Sequence, residues 1–76
     1  MPDRELFGWW RCPHTQEMRE WLELRKCDFV EYDVETDPEA RRRFKSLPGT
    51  PRTVPVLVED GRVVQVGWQG RGCMIE

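Results

Sequence analysis

The sequence predicts an α/β domain of order β-α-β-α-β-β, and three observations carry that reading. A stretch of helical period, residues 13–26, lies between two β-prone runs, 5–10 and 29–34. A second helical stretch opens at Pro38, directly after the capping-type residues Thr36 and Asp37. Two apolar runs, 53–59 and 62–66, are joined by Asp60-Gly61, a strong hairpin signal. A helix crossing between neighbouring strands makes them parallel and the connection right-handed, so the first helix starts at the carboxyl edge of the sheet, where sites form.

In the first strand Leu6, Phe7, Trp9 and Trp10 supply β-prone bulk, and Gly8 permits a close approach or a bend. The first helix places Met18, Trp21, Leu22 and Leu24 near one side and Glu17, Arg19, Glu20 and Glu23 largely on the other. Arg25 and Lys26 complement the dipole at its end, and Cys27-Asp28 terminates it. The run Phe29-Val30-Glu31-Tyr32-Asp33-Val34 alternates as a second strand. In the second helix Ala40, Phe44 and Leu47 are spaced to meet the sheet, and Arg41-Arg42-Arg43 reads as its solvated face. After the last strand, Gly67-Trp68-Gln69-Gly70-Arg71-Gly72-Cys73 leaves no room for a full closing helix, and two readings stand: a loop that approaches something closely, or a flexible tail.

The 76 residues make one domain, 1–76. A chain of this size buries only about 60% of its unfolded surface, so the core is small and a large multi-substrate enzyme is excluded. A charged share of 34% beside 38% hydrophobic residues belongs to a soluble globular domain. No apolar run reaches the length of a membrane span and the first five residues carry no hydrophobic signal region, so no membrane partner and a cytoplasmic location are the expectations. The net charge of -2 offers no attraction to nucleic acid. Three cysteines, Cys12, Cys27 and Cys73, do not make a disulfide framework and fit a reduced protein with one or more reactive thiols.

Chemistry concentrates at Trp9-Trp10-Arg11-Cys12-Pro13-His14-Thr15, where the first strand stops and the first helix begins. Unpaired N–H groups and the positive end of the helix dipole favour a thiolate at Cys12, and Arg11 adds positive charge. Pro13 suits a first helical position, which needs no N–H. A buried structural cysteine beside ordinary capping residues is the competing reading. His14 has three readings: an imidazolium beside the thiolate, a metal ligand with Cys12, or an exposed side chain at the helix start. Two ligands do not close a zinc site, so no metal is expected.

Cys12-Pro13-His14-Thr15 at a strand-helix junction, Thr53-Val54-Pro55 opening the third strand, the Asp60-Gly61 hairpin and Gly67, in this order, resemble glutaredoxins of the thioredoxin fold over about residues 5–70. The resemblance implies that fold, with the closing C-terminal helix short or missing, and a cis Pro55 beside Cys12. The outward-facing N–H and C=O of Val54 would then pair with an extended thiol such as glutathione. It implies that the Cys12 thiolate attacks a disulfide, that a mixed disulfide forms, and that a second thiol, usually glutathione, resolves it. Arg11 and Arg52 become candidates for lowering the thiol pKa or holding a glutathione carboxylate, against a plain role as exposed charges. The binding residues implied are Arg11, Pro13, His14, Arg52, Thr53, Val54, Pro55, Gly67, Trp68 and Gln69.

Departures from the family pattern shape the expectation. Thr15 stands where dithiol relatives have a second cysteine, which leaves a monothiol route. The sequence lacks the C-G-F-S signature of monothiol members that bridge iron–sulfur clusters, and Trp68-Gln69-Gly70 follows Gly67 where acidic residues usually meet glutathione. That segment resembles the W-x-G turn of redoxins that serve ribonucleotide reductase. Cys73 is either a resolving thiol carried to Cys12 on a flexible arm, which requires Cα atoms within about 7 Å, or a tail thiol without a role; Cys27 is packed or incidental. Trp10 and Trp68 are candidate walls of a protein-binding groove with Pro55, and a sheet face less covered for want of the closing helix favours dimerisation or a partner there, so a monomer or a weak dimer is expected.

Three functions follow. The first is a thiol-disulfide oxidoreductase that reduces protein or glutathione mixed disulfides through Cys12, with glutathione as co-substrate. The second is a non-catalytic thioredoxin-fold module that binds a protein. The third is a glutathione-dependent iron–sulfur carrier.

Overall fold

The computed structural model describes residues 3–75. Its elements are β1 (Arg4–Gly8), α1 (Pro13–Leu24), β2 (Val30–Asp33), α2 (Pro38–Lys45), β3 (Thr53–Val54), β4 (Val56–Glu59), β5 (Arg62–Val66) and β6 (Cys73–Met74). The main sheet has strand order β2-β1-β4-β5, with β1 parallel to β2 and antiparallel to β4, while β3 and β6 form a separate antiparallel pair. The β4–β5 turn places Asp60 and Gly61 both at positive φ, the mirror-image turn that suits the strand twist.

Successive residues of β1 face opposite sides of the sheet, and both sides are filled. Phe7 joins Val34, Phe44, Val54, Val56, Val58 and Ile75 on the side closed by α2. Leu6 meets Met18, Leu22 and Leu57 on the side closed by α1. The buried stripe of α1 is Thr15, Met18 and Leu22. Trp21 and Leu24, read from the sequence as part of that stripe, instead face outward, Leu24 being 83% exposed. At about 100° per residue they lie one and two steps round the helix from Leu22.

In α2 the Asp37 carboxylate caps the helix, accepting from the N–H groups of Glu39 at 3.0 Å and Ala40 at 3.2 Å. Ala40 and Phe44 are buried as expected, and Leu47 packs against the same cluster. The arginine run is no uniform solvated face. Arg43 turns inward, donates to the buried carboxylate of Glu5 at 2.7 Å and lies over the rings of Phe7 and Tyr32. The hydrogen bond to Glu5, followed by one to Tyr32, raises its pKa above the ordinary arginine value.

Three boundaries differ from the sequence reading. The first strand ends at Gly8, because Trp9 and Trp10 enter the turn that leads to Cys12. The run 53–59 is two strands, separated at Pro55. The segment after β5, read as a close-approaching loop or a flexible tail, ends in a further strand, β6. The sheet side expected to be less covered is closed by Trp68, which meets Trp21 edge-on with ring centroids 5.7 Å apart, and Leu57 there is 5% exposed.

Candidate active site

The turn between β1 and α1 is fixed from three directions. The Cys12 N–H donates to the Trp9 carbonyl at 2.8 Å, the Thr15 hydroxyl accepts from the Trp9 N–H at 3.4 Å, and the Asp33 carboxylate accepts from the Trp10 N–H at 3.2 Å. Thr15 is fully buried against β1, where a Cβ on Gly8 would overlap its Cγ2. Gly8 is therefore the close approach that locks α1 onto the strand. The side chain at position 15, where dithiol relatives have their second cysteine, thus faces the core.

Cys12 is the N-cap of α1, with extended backbone and no side-chain capping bond, and Pro13 takes the first helical position. No acidic residue occupies the first turn, so nothing on the helix competes for its positive end. His14 lies 3.6 Å from the Glu17 carboxylate. No group of three or more His, Cys, Asp or Glu side chains able to hold a metal ion occurs among the described residues. Arg11 is exposed and sits over the Trp10 ring, itself 62% exposed.

The Val54–Pro55 bond is cis. Pro55 is buried, and its carbonyl accepts from the N–H of Gly67 at 2.6 Å, which ties the start of the C-terminal segment to the same place. Beyond Gly67 the chain reverses. Trp68 and Arg71 exchange backbone hydrogen bonds of 2.6 and 2.9 Å across Gln69 and Gly70, both at positive φ. This is a two-residue turn of hairpin type, and it sends residues 72–75 back along β3. Val54 then pairs with Cys73 and Thr53 with Met74, while the Ile75 N–H donates to the Arg52 carbonyl at 2.6 Å.

Cys73 is disulfide-bonded to Cys12, with Cα atoms 6.0 Å apart. The reading of residue 73 as a tail thiol is therefore corrected, and the single-thiol route expected from Thr15 meets a second thiol already joined to the first. The cause is the turn at Gln69-Gly70, which makes an ordered strand of what resembled a loose arm. Cys12 itself is 1% exposed, because β6 lies over it, whereas Cys73 keeps part of its surface. Cys27 is a free thiol at the far end of α1, packed beside the Leu6–Met18 cluster.

Of the residues read as binding, Val54 pairs with Cys73 of the disulfide, Thr53 precedes it on the same edge and Pro55 follows it across the cis bond. Arg52 borders a groove of about 620 Å³ with Lys45, Thr50, Pro51, Phe44 and Ile75. Gly67 anchors the segment, and Gln69 is exposed in its turn. Trp68, read as a wall of a protein-binding groove with Trp10 and Pro55, packs on the α1 side of the sheet against Trp21. The sequence reading passed over the anchor of the returning segment 72–75, the strap over Cys12: Ile75, 4% exposed in the core cluster. An apolar residue two positions after Cys73 was the available signal.

Comparison with known proteins agrees with this geometry. The family model for glutaredoxins matches residues 5–64. A solved mutant of the thioredoxin-like protein BC3987 is 30% identical, covering 91% of this chain and 86% of its own with a TM-score of 0.80. A glutaredoxin of Archaeoglobus fulgidus is 24% identical, with coverage of 91% and 78% and a TM-score of 0.74. A buckwheat glutaredoxin in complex with glutathione is 13% identical, with coverage of 87% and 61% and a TM-score of 0.72. The last two likenesses speak for the fold alone, and the fold is the thioredoxin-like one of glutaredoxins. No functionally curated protein matches the sequence.

Proposed function

The chain belongs to the glutaredoxin family, and from that premise we propose that it is a thiol-disulfide oxidoreductase in which Cys12 attacks and Cys73 resolves. The observation that carries this reading is the Cys12–Cys73 disulfide, made between a helix N-cap and a strand that ends beside it. In the reduced protein the Cys12 thiolate attacks one sulfur of a substrate disulfide, and the other half leaves as a thiolate. Cys73 then attacks the Cys12 sulfur, releasing the substrate as a thiol and closing the internal bond. Two electrons pass from the cysteine pair to the substrate.

Recycling runs through the less buried cysteine, Cys73. A reducing thiolate attacks Cys73, and Cys12 departs as a thiolate, a charge that the helix N-terminus stabilises. A second reducing thiol clears the adduct from Cys73. Glutathione also suits Cys12 as a mixed-disulfide partner with the strap displaced, because its γ-linked residue presents an unbranched CH₂ next to the cysteine, where the strap has Gly72. Arg52 and Lys45 border the end of the β3 edge, where the glutathione terminal carboxylate would arrive.

Mass spectrometry of the reduced protein after oxidised glutathione tests the reading. The expected end product is the internal Cys12–Cys73 bond in the native chain and a stable glutathione adduct on Cys12 in Cys73→Ser. Undiminished reduction of a glutathione mixed disulfide by Cys12→Ser would refute it.

A further inference from the structure

The β3 edge is filled by the chain itself, and the filling segment has the form of a bound peptide. Cys73 lies opposite Val54 in antiparallel register, and the Ile75 N–H closes on the Arg52 carbonyl at 2.6 Å. Gly72 passes so close that a Cβ on it would overlap the Thr53 Cγ2 and the Val54 carbonyl oxygen. Met74 points away and is 69% exposed, whereas Ile75 is 4% exposed in the core cluster. Strand addition to a sheet edge takes its affinity from main-chain pairing and its selectivity from alternate side chains. The rule visible here is no branch before the cysteine, anything after it, and an aliphatic anchor at the second position after it.

We propose that residues 72–75 are a substrate held in cis, and that the edge they fill, read above as pairing with an extended thiol, selects protein segments of the form Gly-Cys-x-aliphatic. The proposal rests on Cys12 being the attacking thiol. A segment arrives with its cysteine in a disulfide. The Cys12 thiolate bonds to the segment's sulfur, the other half leaves as a thiolate and is protonated by solvent, and the strap stands displaced while the segment occupies β3. The strap then returns, the Cys73 thiolate attacks the Cys12 sulfur, and the segment leaves as a thiol. Strap and substrate compete for one edge, so a strap that seats badly speeds capture.

The test uses the full chain carrying Cys73→Ser and Cys27→Ser, so that Cys12 is its one thiol. It is offered three short peptides, Gly-Cys-Met-Ile, Val-Cys-Met-Ile and Gly-Cys-Met-Asp, each activated at cysteine with a thiopyridyl group whose release is read by absorbance. The first should react at least about tenfold faster than the others, since overpacking and a buried charge each cost more than that ratio. Adding Gly72→Val, with folding checked by circular dichroism, should raise the rate of the first peptide several-fold. Equal rates for the three peptides, or no gain from Gly72→Val, would overturn the proposal while leaving Cys12 an active thiol. Failure of Cys12 to react even with small dithiodipyridine would remove the underlying reading, and the proposal with it.

Discussion

Reduction of the Cys12–Cys73 bond should cost this chain a large part of its stability. The bond spans a sequence separation of 61, and the loop-closure entropy it removes from the unfolded ensemble amounts to about 4 kcal/mol. A domain of 76 residues has a total stability of roughly 4–11 kcal/mol. With an unfolding entropy near 2 cal/mol/K per residue, the loss corresponds to a fall in Tm of about 25 °C. The assay is thermal unfolding by far-UV circular dichroism of the oxidised protein, the same protein with excess reductant, and Cys73→Ser under both conditions. The reduced native chain and Cys73→Ser should melt close together and well below the oxidised form, and reductant should leave Cys73→Ser unmoved. Oxidised and reduced chains melting within about 3 °C of each other would refute the loop-closure reasoning. By linkage, the free energy that the bond gives the fold is returned by the fold to the bond, which favours closure over release of Cys73.

Further outcomes follow from other contacts. Gly8→Ala drives a methyl into the buried Thr15 side chain and should cost about 1–3 kcal/mol in urea unfolding, with the double variant Gly8→Ala/Thr15→Ser recovering part of the loss. Arg43→Leu leaves the buried Glu5 carboxylate without its guanidinium and should destabilise by about 1–3 kcal/mol, read from the urea midpoint, whereas pairing it with Glu5→Leu should restore much of that. Trp68→Ala uncovers Leu57 and removes the contact with Trp21, so it should cost about 3 kcal/mol by the same measurement and change Trp21 fluorescence while sparing Cys12 alkylation.

The parts of the fold set by local rules were readable in the chain. Asp37-Pro38 capped α2, Asp60-Gly61 turned the hairpin, and Cys12-Pro13 opened α1, because capping and turn geometry depend on a few adjacent residues. The proline of Thr53-Val54-Pro55 entered through resemblance, and its cis bond stands in the structure. Long-range matters were less legible. Arg43 looks like its charged neighbours until Glu5, from the other end of the domain, supplies a partner. Trp21, Leu24 and Trp68 needed the helix rotation and the missing helix to be known before their sides were clear. The strap was obscured because Gly70, Arg71 and Gly72 resemble a loose tail by composition, and the turn at Gln69-Gly70 together with Gly72's fit against Val54 makes them ordered.

Ile75 determines how the reduced protein behaves between encounters. Drawing that side chain out of its seat among Phe7, Phe44 and Val56 forfeits roughly 2 kcal/mol, which leaves the hinged form at about one molecule in thirty. The two thiols therefore wait as neighbours even when no bond joins them. The two thiols are separated by 61 positions in the chain, and one aliphatic residue two positions after the second restrains how often they part.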